Sequence, residues 1–243
     1  MRLAAAAISI ALGGCSLAFP LGEYDEGTTG AGLTPTAGGS AEGGAGGGEL
    51  GGGGNAPACD GGPNPPLGDI SSDFDAGVGA DFYLQNCATI VDGQVETDPA
   101  VMGEYCWVGT TGVRRLACSG VTVRILDAGQ QSGVHRFIYV TNNDSDGRIN
   151  ILQESGGFGG DLDYSDGSFN LTQDAWWQVS ADETTLTFST SPDGVMWNTK
   201  GTVVPSFPLD NINIAVGSGM WQAGAAPSND RFDCFNVGPP CGD

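Results

Sequence analysis

The chain has 243 residues and a formal net charge of −21, because 29 acidic residues outnumber eight Lys and Arg. The acidity belongs to residues 67–243, which carry 23 acidic side chains against seven basic ones. A surface of this charge repels the phosphate backbone, which argues against a nucleic-acid partner. A structural zinc site is also disfavoured, because the chain has no C-x-x-C pair and one histidine.

The N-terminus is typical of an export signal. "MRLAAAAISIALGGC" carries one positive charge, at Arg2, and its apolar run is far shorter than the roughly 20 residues that span a bilayer. The run ends in "LGGC", which resembles the bacterial lipobox. The resemblance implies that residues 1–14 are a lipoprotein signal peptide, that Cys15 is lipidated, and that Ser16 directs the protein to the outer membrane. An ordinary secretory signal with an incidental cysteine is the alternative.

The cysteine count agrees with lipidation. Seven is an odd number, and assigning Cys15 to the lipid leaves six in a compartment where disulfides persist. We expect three bridges, and six cysteines allow 15 connectivities. The six are Cys59, Cys87, Cys106, Cys118, Cys234 and Cys241.

A glycine-rich segment follows the lipidation site. Glycine supplies 13 of the 25 residues from 30 to 54. Such a segment buries too little apolar surface to offset its ordering entropy, so residues 15–66 are predicted to be a disordered linker. It would tether the domain on the order of 35 Å from the membrane. A spacer under no functional demand predicts the same disorder.

Residues 67–243 are predicted to form one all-β domain. "GVTVRIL", "NINIAV" and "TLTF" alternate apolar and polar side chains with the period of a strand. Turn sequences rich in Asp-Gly and Asn separate these runs, and no long stretch has helical period. Many short strands with such turns indicate a sandwich or barrel. In "TLTFSTSPDGVMW", Asp193-Gly194 predicts a tight hairpin, with Trp197 folding back onto the sheet.

The segment "WWQVSADETTLTFSTSPDGVMWNTKGTV", followed by "INIAVGSG" and "DRFDCFNV", resembles the C-terminal half of concanavalin A-like lectin/glucanase domains. "DISSDFDAGVGADFYLQNCATIVDGQVET" resembles that family's first strand and its return through a D-G turn. The resemblance implies a two-sheet antiparallel jelly-roll sandwich with its first and last strands side by side. It also implies a bridge between Cys59 and Cys241, just outside those strands.

Enzyme chemistry is disfavoured. The glucanases of this family use an E-x-D-x-x-E strand, and a retaining glycosidase needs two carboxyls about 5 Å apart. No such strand occurs here, and Glu154 lacks a partner two residues on. The only candidate base for nucleophilic hydrolysis, His135, begins a strand without a neighbouring G-x-S-x-G, and we interpret it as a surface or strand-end residue.

A calcium loop is the alternative chemistry. In "NNDSDGRIN", residues Asn142, Asp144 and Asp146 precede a glycine with the spacing of a D-x-D-x-D-G loop. The pattern lacks its later bidentate Glu, so a plain polar hairpin loop is the competing interpretation. A second acidic loop, with Asp161, Asp163 and Asp166, has the same two interpretations.

Aromatic side chains suggest a carbohydrate site. Adjacent Trp176 and Trp177 must point to opposite faces of their strand. Trp177 shares parity with Val179 and is assigned to the core, which leaves Trp176 beside Gln178 on the outer face as a sugar-contact pair.

The leading hypothesis is therefore a lipid-anchored outer-membrane protein whose sandwich binds a polysaccharide or other glycan without catalysis. Two alternatives remain. One is a structural or adhesive surface protein that contacts protein, and the other is a divergent glycan hydrolase. An open aromatic face favours the first hypothesis, and a flat apolar patch favours the adhesive one.

Overall fold

The computed structural model of the chain describes residues 63–128, 132–154, 157–163, 169–226 and 228–241. The predicted signal peptide, the predicted lipidation site Cys15 and nearly all of the predicted linker lie outside these residues. No helix in the described part is long and apolar enough to cross a membrane.

The described residues form an all-β structure with one short 3-10 helix, Leu67–Asp69. Its 13 strands are β1 (Phe82–Gln85), β2 (Ala88–Val91), β3 (Gln94–Thr97), β4 (Tyr105–Thr110), β5 (Ser119–Asp127), β6 (Val134–Asn142), β7 (Arg148–Glu154), β8 (Gly157–Gly160), β9 (Trp176–Ala181), β10 (Leu186–Ser191), β11 (Asn198–Val203), β12 (Ile212–Met220) and β13 (Asp230–Asp233).

The strands pair in two antiparallel sheets. The six-stranded sheet has the order β1-β4-β12-β6-β7-β8, and the seven-stranded sheet has the order β11-β10-β9-β5-β13-β3-β2. This confirms the predicted two-sheet antiparallel sandwich. One implied detail is wrong, because β13 pairs with β3 and β5 while β1 lies in the other sheet. The chain ends still approach each other through an isolated bridge between Ser72 and Phe235.

The core lies between the sheets and follows from the period-two pattern. On β5, Val121, Val123 and Ile125 are buried while the side chains between them are not. The apolar sets of β10 and β12 are buried in the same way. Alternation places every second side chain on the same face, so each strand contributes one row to the core.

The two predicted hairpins are confirmed. β9 and β10 pair in register around Ala181–Leu186, and β10 pairs with β11 through the turn that contains Gly194. Trp197 packs against Trp176, so it folds back as predicted.

Five of the six cysteines predicted to form disulfides lie in the described residues, and all five are bonded. Cys87 bonds Cys106, Cys234 bonds Cys241, and Cys118 is also disulfide-bonded. The implied bridge between Cys59 and Cys241 is therefore wrong. Cys241 lies only seven residues after Cys234, and the chain turns back on itself there at a Cα–Cα distance of 5.9 Å.

Candidate functional site

The outer face of the six-stranded sheet carries an aromatic layer. Val108, Ile138 and Val216 are buried in the core, so their neighbours on β4, β6 and β12 point away from it. The outward positions of β12 are small residues, whereas those of the flanking strands are aromatic. We define the aromatic layer as Tyr83, Tyr105, Trp107, His135, Phe137 and Tyr139.

Two tyrosine rings of the layer lie over glycines of the neighbouring strand. A Cβ placed on Gly109 would come within 2.5 to 2.7 Å of three atoms of Tyr83, and one placed on Gly219 would clash with the ring of Tyr105. Only glycine lets a ring approach the backbone this closely. The two rings therefore lie along the sheet and turn one face outward.

Four rings of the layer form a continuous row: Tyr105, His135, Phe137 and Tyr139. Phe137 and Tyr139 are parallel, with ring centroids 3.9 Å apart and an interplanar angle of 11°. Tyr105 lies 6.1 Å from Phe137 and 5.5 Å from His135, centroid to centroid. At the other end of the row the guanidinium carbon of Arg148 lies 4.7 Å from the Tyr139 ring centroid. Offset and stacked contacts of this kind stabilise the row beyond the area they bury.

Some rings of the aromatic layer are buried and others are accessible to solvent. Phe137 is 0% exposed and His135 is 5% exposed, whereas Tyr83 is 39% exposed. Tyr105, Trp107 and Tyr139 are half-buried. The tyrosine and tryptophan rings are therefore accessible to a ligand, whereas Phe137, which stacks on Tyr139, is not.

His135 is a buried polar group within the layer. Its Nδ1 lies 3.3 Å from Oε1 of Glu154, directly across the β6–β7 pair. Neither ring nitrogen makes a hydrogen bond within the described part of the chain. The interpretation of His135 as a surface residue is therefore wrong, because Tyr105 and Phe137 pack against its ring.

The electrostatics of Tyr105 show which charged groups face the layer. Burial raises the pKa of its phenol, Arg148 opposes that shift, and Glu154 adds to it. A cation and an anion from β7 thus act on one phenol of β4. Polar groups gathered around aromatic rings are the usual composition of a small-molecule site.

The predicted contact pair lies on the other sheet. Trp176 does point outward from β9, since Trp177 is 0% exposed in the core. Trp176 itself is only 4% exposed, because the segment closed by the Cys234–Cys241 bridge packs against it. The prediction of an exposed Trp176 is therefore wrong. Gln178 lies on the same face and is half-buried.

The predicted calcium loop connects β6 to β7. Oδ1 of Asn142 accepts hydrogen bonds from the backbone N–H of Asp144, at 2.8 Å, and from Oγ of Ser145, at 3.2 Å. The Asn142 oxygen that would bind a cation is therefore already engaged in the hydrogen bonds of the turn. The described residues include no third His, Cys or acidic side chain that groups with Asp144 and Asp146. Calcium binding here stays a prediction.

The second acidic loop follows β8. Oδ2 of Asp161 accepts hydrogen bonds from the backbone and side-chain nitrogens of Asn150, at 2.7 and 2.9 Å. The backbone N–H of Asp163 donates to Thr202. Asp166 lies outside the described residues. The one metal-like grouping among the described side chains is Asp233, Cys234 and Cys241, in which both sulfurs are bonded to each other.

The aromatic layer was not predicted, although the sequence contains a pattern for it. In "VHRFIYVTN", His135, Phe137 and Tyr139 alternate with Ile138 and Val140. Such a strand is apolar on both faces, and the aromatic face needs a second covering or a ligand. The pattern alone does not place Tyr83 and Tyr105 beside it, since the pairing of β1, β4 and β12 brings them there.

No protein-family model and no curated protein matches the sequence. Solved structures do match. A glycoside hydrolase family 16 endo-glucanase from Bacteroides ovatus has a TM-score of 0.50 at 10% identity, covering 68% of this chain and 98% of its own.

A Bacillus licheniformis beta-glucanase is also similar, with a TM-score of 0.49 and 10% identity. The winged bean acidic lectin in complex with methyl-alpha-D-galactose has a TM-score of 0.48 and 12% identity. Each comparison covers 68% of this chain and 95% of the other. The domain has the concanavalin A-like lectin/glucanase fold, and identities this low carry no more than the fold.

Proposed function

We propose that the protein is a lipid-anchored outer-membrane protein that binds carbohydrate on its aromatic layer without catalysis. The observation that carries the proposal is the pair of tyrosine rings, Tyr83 and Tyr105, lying over Gly109 and Gly219. A flat ring that turns one face outward matches the C–H face of a pyranose, and nearby polar groups can bind its hydroxyls.

The absence of catalysis is part of the proposal. The outward residues His135, Phe137 and Tyr139 of β6 are rings, whereas a retaining glycosidase needs two carboxyls about 5 Å apart. Glu154 faces His135 at 3.3 Å. Release of reducing ends from a bound glycan would contradict this part and support the hydrolase alternative.

Binding is tested by calorimetry on the full-length protein in a detergent without a sugar head group, against a panel of soluble polysaccharides. We expect Tyr83→Ala and Tyr139→Ala each to weaken the affinity about tenfold. One aromatic contact contributes roughly 1.5 kcal/mol, which corresponds to about a factor of ten in the dissociation constant. Trp197→Ala, on the other sheet, is the matched control and should bind normally. Repeating the titration with calcium and with a chelator tests the calcium prediction.

If no polysaccharide binds, or if Trp197→Ala weakens binding as much as the tyrosine variants, the proposal is wrong.

The anchor is tested separately. Cys15→Ser should shift the protein from the membrane fraction to the soluble fraction or block its maturation, and unchanged fractionation would contradict lipidation.

Protein contact is a second candidate because one cluster of apolar side chains is exposed. Val101, Met102 and Trp221 are 62%, 61% and 45% exposed. The backbone N–H of Gly103 donates to the carbonyl of Met220 at 2.7 Å, which brings the two segments together. If adhesion to protein is the function, replacing the three side chains with Ser should abolish adhesion and leave glycan binding unchanged.

A further inference from the structure

Arg148 is the basic residue in the domain whose side chain is exposed. Of the seven Arg and Lys in the described part of the chain, the other six are buried or half-buried. Arg148 begins β7 and follows a loop that contains Asp144 and Asp146. Its guanidinium lies over the Tyr139 ring, 4.7 Å from the centroid, at the end of the stacked aromatic row.

Most other basic side chains of the domain are neutralised by carboxylates. Arg114 pairs with Asp81, Arg136 with Asp230, Lys200 with Asp174 and Arg231 with Glu96. Within the described residues Arg148 makes no such ion pair, although the domain is strongly acidic and two aspartates precede it closely in sequence. The stacking on Tyr139 holds the guanidinium over the aromatic layer instead.

The charge of Arg148 is directed toward the layer. Its field opposes the upward shift in the pKa of Tyr105, which lies on β4 and is separated from β7 by β12 and β6. The contact with the Tyr139 ring places that charge at the aromatic layer rather than out in the loop. A guanidinium that lies over a ring can still donate from its planar N–H fork to the two oxygens of a carboxylate or a sulfate.

We propose that the aromatic layer binds a glycan that contains an acidic sugar residue, whose carboxylate or sulfate group lies against Arg148. This rests on the proposed function, because it assigns the charge of the sugar bound at the same site.

The net charge of the protein limits which acidic glycans fit. A charge of −21 repels a polyanion as a whole. At physiological ionic strength charges are screened beyond about 8 Å, so a single acidic group at Arg148 experiences mainly the local cation. The preferred ligand is therefore a glycan in which acidic residues are separated by neutral ones, rather than a continuous polyuronate.

The test compares matched ligands on the full-length protein by calorimetry. The probes are a tetrasaccharide that contains one glucuronate, its methyl ester, and the same neutral backbone carrying one sulfate ester. We expect the wild type to prefer the glucuronate or the sulfate to the methyl ester about tenfold, the value of one charge-assisted hydrogen bond. The ratio of the affinities for the two acidic probes shows whether the site prefers a carboxylate or a sulfate.

Arg148→Gln should reduce that preference to about one, and Arg148→Lys should retain only part of it, because an ammonium lacks the planar fork. Arg231→Gln, on the other sheet, is the matched control and should keep the full preference. Thermal melting of each variant shows that it is folded.

Equal affinity for acid and ester in the wild type, or a preference that survives in Arg148→Gln, would overturn the inference while leaving carbohydrate binding in place. Failure of all three probes and of every polysaccharide in the panel would remove the proposed function and the inference together.

Discussion

At the scale of single residues, a buried ion pair joins the two sheets. Arg136 on β6 donates from Nε to Oδ1 of Asp230 on β13 at 2.7 Å, and both side chains are almost fully buried. Gln153 and Ser228 also hydrogen-bond to the pair. Arg136→Gln should lower the free energy of unfolding at neutral pH by roughly 3–5 kcal/mol, because it leaves the buried Asp230 carboxylate without its cation. Urea unfolding measures the loss.

The same pair gives a pH dependence with a definite sign. Burial raises the pKa of Asp230, and Arg136 only partly opposes the shift. The folded protein then holds this proton more tightly than the unfolded one. The contribution of Asp230 to the free energy of unfolding is complete below pH 3.8, the ordinary pKa of its carboxyl group. It is lost as the pH rises through the raised pKa of the folded state. Asp230→Asn should lack this fall, and identical pH profiles for variant and wild type would contradict the assignment.

At the scale of elements, one carboxylate organises the β10–β11 hairpin. Oδ1 of Asp193 accepts hydrogen bonds from the backbone N–H of Val195, at 2.9 Å, and of Met196, at 3.0 Å, and from Oγ of Ser191. These bonds lower the pKa of Asp193 below its ordinary value of 3.8. The hydrogen bonds therefore stabilise the folded protein above pH 3.8, and this stabilisation is lost as the pH falls through the lowered pKa.

Asp193→Ala should therefore increase amide hydrogen exchange at Val195 and Met196, whereas Asp193→Asn, which keeps an acceptor oxygen, should change it less. The turn after β9 is an internal control, since Asp182 accepts from Thr184 and Thr185 in the same way. Equal exchange in the alanine variant and the wild type would show that glycine and the strand pairing alone hold the hairpin.

At the scale of the whole molecule, the disulfides differ in what they hold. Cys87 lies in the turn where the chain passes from one sheet to the other, and its bridge to Cys106 closes 19 residues. The Cys234–Cys241 bridge closes only seven. Chain entropy predicts that replacing the first pair with Ser costs about 0.9 kcal/mol more than replacing the second, out of roughly 2–4 kcal/mol for a bridge.

Thermal unfolding of the two double variants and of the reduced protein measures this order. A reduced protein that melts at the temperature of the oxidised one would contradict the structural role of the bridges. A larger loss for the shorter loop would show that the cover over Trp176 contributes more than chain entropy does.

The sequence by itself determined the features that depend on neighbouring residues. Alternation assigned Val121, Val123 and Ile125 to the core, and Asp193-Gly194 predicted its hairpin, because side-chain direction and turn geometry are local properties of the chain. The period-two runs and the turns between them were sufficient to predict an all-β sandwich or barrel, and the family resemblance implied the two-sheet form.

Only the tertiary structure decided which faces are covered and which side chains meet. Trp176 points outward as predicted, yet a segment more than 50 residues later in the chain buries it. Tyr105, Phe137 and Arg148 come together through the pairing of β4, β12, β6 and β7. The register of distant strands depends on the packing of the whole sandwich, and for that reason the aromatic layer could not be assembled from local pattern.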